Sequence, residues 1–85
     1  MDFQQYDNEN DEIWTAFVHY TNLTIHKGFN HYSAKGIFEL IRWHSNAKGM
    51  GTFKINNNYS ADYARKFMKV YPRHEGFFRT RIKKN

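Results

Sequence analysis

Arg65, Lys66, Lys69, Arg73, Arg79, Arg81, Lys83 and Lys84 place eight positive charges within residues 65–84. Guanidinium groups at two-residue spacing, as at Arg79 and Arg81, suit a phosphate backbone because each planar fork donates two parallel hydrogen bonds. If about six to eight of these cations each met one phosphate, affinity would fall by roughly three orders of magnitude between low and moderate salt. The bland alternative is a solvated basic face that keeps a small chain in solution. Clustering, more than number, favours binding. Asn56-Asn57-Asn58 precedes the run, and Asn amides pair bidentately with adenine or contact phosphate at a helix start. They serve equally well as turn and cap residues. Tyr59, Tyr63, Phe77 and Phe78 interleave with the bases, and rings among cations stack unpaired bases in single-strand binders. Most of these rings are needed in the core; Phe77 is the one expected to stay partly exposed.

Other chemistries find less support. The five histidines (His19, His26, His31, His44 and His74) miss His-Glu-x-x-His spacing, and the chain has no Cys, so no metal or other cofactor is expected. Glu39, Asp62 and Glu75 are the acids of residues 31–85. They form no cluster for acid–base or two-metal work, and the chain reads as non-enzymatic. His74 with Arg73 and Tyr71 is the minimal set of a small ribonuclease, a minority reading. Trp43 is either half-buried beneath Arg42 as a cation–π pair or an interface hot spot.

The charge is sorted by position. Residues 1–30 carry five acids against Lys27 alone, while residues 31–85 carry twelve bases against three acids. A basic region behind an acidic one points to a polyanion or an acidic protein surface. Eighty-five residues make one small domain near the lower limit for an unaided core. Without disulfides, the core has to come from eight Phe, six Tyr and two Trp. No apolar run approaches the ~18 residues of a membrane span. No basic-then-apolar leader opens the chain, which makes an intracellular location the expectation.

These residues need elements to position them. Residues 1–10 are polar and acidic and read as a flexible leader, with docking of Phe3 and Tyr6 the minority alternative. Asn10 or Asp11 caps a first helix whose apolar stripe runs Ile13, Trp14, Phe17, Val18, Thr21, Ile25 and which stops at Lys27-Gly28. Ser33 caps a second helix, with Tyr32 stapled onto Ile37 and Glu39 paired to Arg42. Residues 45–51 read as a loop. Residues 52–56 alternate as a short strand, and Asn57 and Asn58 turn the chain. Ser60 caps a third helix over residues 61–71, ended by Pro72, with Tyr63, Ala64, Phe67, Met68 and Tyr71 inward. Residues 77–82 alternate again, Phe78, Thr80 and Ile82 on one face and Phe77, Arg79 and Arg81 on the other. The expected architecture is a single α+β domain over residues 11–85, ordered α-α-β-α-β with a two-stranded antiparallel sheet. It is winged-helix-like by analogy only: fifteen residues separate His44 from Ser60, where a helix-turn-helix uses three or four.

The string His31-Tyr32-Ser33-Ala34, Ile41-Arg42-Trp43, Phe53-Lys54-Ile55-Asn56-Asn57-Asn58, Tyr63-Ala64-Arg65, Phe67-Met68, Pro72 and Gly76-Phe77-Phe78-Arg79-Thr80-Arg81 resembles a family of small proteins encoded by bacteriophages and prophages. The resemblance covers roughly residues 11–82. No activity comes with it; it implies a phage-derived gene and a bacterial cytoplasm. The resulting expectation is an accessory nucleic-acid-binding protein using Asn57, Asn58, Tyr59, Arg65, Lys66, Lys69, Arg73, Phe77, Arg79, Arg81 and Lys83. The alternative is a protein-binding inhibitor of a bacterial defence nuclease such as a CRISPR effector, with Trp14, Trp43 or Phe77 as anchors.

Overall fold

The computed structural model describes residues 2–47 and 57–78. Four α-helices follow one another: α1 (Phe3–Glu9), α2 (Asp11–His26), α3 (Ala34–Ala47) and α4 (Ser60–Val70). Two 3-10 turns, Asn57–Tyr59 and Pro72–His74, flank α4. The expected α+β fold and its winged-helix analogy are therefore corrected to an all-α arrangement. Among the described residues the extended pairing amounts to one parallel bridge, Tyr32 with Phe78. Residues 52–56, read as the first strand, and 79–82, the greater part of the second, lie outside the described residues.

Phe77 and Phe78 show why alternation misled. A half-buried strand sends neighbouring side chains to opposite faces, yet Phe77 is 5% and Phe78 3% exposed. The chain delivers both rings into the core as it leaves the Pro72–His74 turn, and the Tyr32 N–H donates to the Phe77 carbonyl at 3.1 Å. The expected partial exposure of Phe77 is corrected with it.

Acids Asp11 and Glu12 occupy the first turn of α2, where the helix dipole favours them. Its end comes at Gly28, whose φ of +97° only glycine adopts cheaply. Ile13, Phe17, Thr21 and Thr24 form its buried face, the Thr24 hydroxyl donating to the Thr21 carbonyl at 2.7 Å. For α3, Ser33 acts as read: its Oγ accepts from the Gly36 N–H at 2.9 Å. A Cβ at Gly36 would sit 2.7 Å from the Tyr32 ring, so glycine lets that ring lie across the first turn. Helix α4 begins one residue early, with Tyr59 as its cap position and Ser60 buried inside it. Pro72 opens the following turn.

The three longer helices enclose one aromatic core. Phe17 is its hub, with ring centroids 5.3 Å from Phe78, 5.7 Å from Tyr63 and 5.8 Å from Phe38. Ile37, Ile41, Ala64 and Phe67 complete the layer, all essentially without solvent contact. Edge-to-face pairs such as Phe17–Phe38, with planes 88° apart, add about 0.5–1.5 kcal/mol each beyond their buried area.

The acidic N-terminal stretch departs from the flexible leader expected of it. Asp2 accepts from the Gln5 N–H at 2.9 Å and caps α1. Phe3 and Tyr6 then pack against the core, the minority alternative. Among the described residues no helix is long and apolar enough to cross a membrane.

Candidate functional site

Helix α4 presents Asp62, Arg65, Lys66 and Lys69 at three- and four-residue spacing, along one side. That side faces α1 across an open cleft also lined by Phe3, Gln4, Asp7 and Asn8. The three cations differ in what holds them. Arg65 donates to Asp62 at 2.8 Å and is more than half exposed. Lys66 donates to Asp7 of α1, fifty-nine residues away in sequence, and its Nζ lies 4.3 Å from the Trp14 ring centroid. Lys69 is exposed, and among the described residues no ion pair involves it.

Phe3, which lines the cleft, leads into a stack of rings. Tyr6 lies on Tyr59 at 4.2 Å with planes 22° apart. Phe3 meets Tyr63 edge-on at 4.8 Å and Tyr59 at 6.1 Å. Beneath them, Tyr63 is fully buried and among the described residues its hydroxyl makes no well-formed hydrogen bond. Burial raises its pKa above the phenol's usual range, and Asp7's charge pushes the same way. Asp7 Oδ1 is likewise buried and unpartnered, although Oδ2 holds Lys66. The Tyr63 hydroxyl also interacts directly with the Asp7 carboxylate, a further cause of the raised pKa, although the contact falls outside good hydrogen-bond geometry.

The structure thus brings Arg65, Lys66 and Lys69 to one cleft, with Tyr59 joined to it through the Phe3 and Tyr6 rings. Arg73 is exposed in a different recess, with Ile25, Phe29, Asn30, His74 and Glu75. Asn58 is exposed in the turn before α4. Asn57 belongs to the same turn, its side chain outside the described residues, as are Arg79, Arg81 and Lys83. Phe77 is buried and drops out as a stacking surface or anchor. His74 lies half-buried with its ring 6.0 Å from Phe67. Among the described residues no three His, Cys, Asp or Glu side chains are grouped as metal ligands.

Two functional residues were misread or missed. Lys66 over Trp14 is a cation–π pair the sequence reading missed, and Trp43 is 72% exposed instead of half-buried. Asp7 as the partner of Lys66 carried one local signal, since Asp2-Phe3-Gln4-Gln5 has the spacing of a capping box and so marks a helix start. Comparisons with protein-family models, curated proteins and solved structures found no match.

Proposed function

We propose that this chain is a non-enzymatic nucleic-acid-binding module of the phage-encoded kind its motif string resembles. One observation carries the reading: Arg65, Lys66 and Lys69 line one cleft against α1, whose Phe3 and Tyr6 rings pack on Tyr59 at the start of α4. Cations at that spacing follow a phosphate backbone, and a ring beside them stacks an unpaired base irrespective of its identity. The Arg65–Asp62 pair is an exposed one, and such pairs are worth about 0–1 kcal/mol, so phosphates exchange readily for the carboxylate. Arg79, Arg81, Lys83 and Lys84 follow Phe78 without an intervening acid and add to the positive charge of the chain. The test is fluorescence anisotropy of a single-stranded oligonucleotide at 50 and 200 mM salt. With about six phosphates neutralised, affinity falls by two to three orders of magnitude over that range. Binding that is absent at low salt, or indifferent to salt, removes the reading.

One observation favours a second reading, a protein-binding inhibitor that covers an acidic or nucleic-acid-handling surface of a host nuclease. Trp43 stands 72% exposed beside a recess lined by Tyr32, Gly36, Leu40 and the Glu39–Arg42 pair. Exposed Trp is the residue type most enriched among interface hot spots. A stoichiometric partner captured from nuclease-treated bacterial lysate, and lost on Trp43→Ala, supports it. Oligonucleotide binding that Trp43→Ala leaves intact separates the two readings.

A further inference from the structure

Helix α1 has seven residues, below the ~12–15 at which an isolated helix persists in water. Its order therefore depends on docking. None of its residues is fully buried, so what docks is a thin layer of three groups: Phe3 edge-on to Tyr63, Tyr6 flat on Tyr59, and Asp7 on Lys66. In chemical terms Tyr6 and Asp7 offer a flat ring and an anionic oxygen pair at adjacent positions. The ring is stacked on an aromatic face; the anion is seated on an ammonium. A nucleotide in a single strand offers the same two groups, a base and a phosphate.

We infer that α1 is a covalently attached stand-in for single-stranded nucleic acid. The face beneath it is the seat for one base on Tyr59 and one phosphate on Lys66, with Arg65 and Lys69 at the rim for neighbouring phosphates. This rests on the nucleic-acid reading above and adds to it where the strand sits and what it must displace. The seat is filled imperfectly by its own chain. Among the described residues Asp7 Oδ1 is buried without a well-formed hydrogen bond, the Tyr63 hydroxyl interacting with it only outside good geometry, so undocking returns that oxygen to water. Lys66 is held by the Trp14 face as well as by Asp7, so it keeps its position when the carboxylate leaves. Open cleft between Gln4 and Asn8 on one wall and Arg65 and Lys69 on the other gives a strand its first contact before α1 moves. A competitor in cis lowers apparent affinity by the fraction of molecules that are open.

The experiment measures binding of a short fluorescein-labelled oligothymidylate to the full chain and to three variants, with helix content followed by circular dichroism. Tyr6→Ala combined with Asp7→Asn loosens α1 and tightens binding about five- to tenfold. Asp7→Asn alone keeps the rings and the fold, and it gives a smaller gain of the same sign. Adding Tyr59→Ala to the loosened chain abolishes the gain, because the stacking platform is gone. In a Trp43→Phe background the oligonucleotide changes Trp14 emission as Asp7 leaves Lys66. Equal affinity of the wild-type and both loosened chains overturns the seat while leaving nucleic-acid binding standing. Absence of binding in every variant overturns both.

Discussion

The α2–α4 core and the α1–α4 seam are both aromatic, and they are built to opposite specifications. In the core, Phe17 touches rings from α3, α4 and the segment after α4, and the buried polar atoms without a partner among the described residues are two neutral hydroxyls, those of Thr21 and Tyr63. In the seam, every α1 ring retains solvent contact, the ion pair spans two helices, and one carboxylate oxygen is buried without a donor. The difference separates what keeps the chain folded from what a ligand can exchange. Local opening draws on regions with few buried contacts, and the seam is such a region.

The sharpest break in the comparison is Phe17→Ala. It removes the hub ring and should cost about 3–5 kcal/mol in urea unfolding, enough to unfold a domain of this size. A cost near 1 kcal/mol would mean that the two regions do not differ in kind. Next is Lys66→Ala, which strands Asp7 with 13% of its side chain exposed and should cost about 1–2 kcal/mol. Asp7→Asn should cost less, because it withdraws the buried charge along with the pair; equal costs would contradict that asymmetry.

A third prediction concerns the buried Tyr63 hydroxyl. The folded Tyr63 phenol keeps its proton to higher pH than the unfolded one, whose pKa is about 10, because burial and Asp7 both raise it. Stability from this source is complete below about pH 10 and is lost as pH climbs beyond it. Tyr63→Phe should flatten that alkaline limb. The smallest effect belongs to Glu39→Ala, which breaks an exposed 2.6 Å pair with Arg42 and should cost about 0.2–0.5 kcal/mol by thermal melting.

Much of the helical framework was legible in local pattern. Ile13, Phe17 and Thr21 recur every four residues, Ser33 caps α3 as its hydroxyl suggests, and Glu39 and Arg42 meet at the spacing that predicts it. The candidate site was half legible. Arg65, Lys66 and Lys69 were marked by charge and spacing, as were Asp62 and the acidic N-terminal stretch as their screens, while which residue of that stretch meets which cation was not. Alternation at residues 77–78 failed because two adjacent rings can both turn inward where the chain closes a core instead of running along a sheet.

Helix positions, inward faces and the segregation of charge follow from residue type and short-range periodicity, since those depend on backbone geometry repeated every few residues. That Asp7 meets Lys66, that Tyr6 lies on Tyr59, and that Trp43 rather than Phe77 is left in solvent were decided by how the helices pack. Contacts across fifty-nine residues leave no periodic trace, because they arise only after several amphipathic faces have found one another.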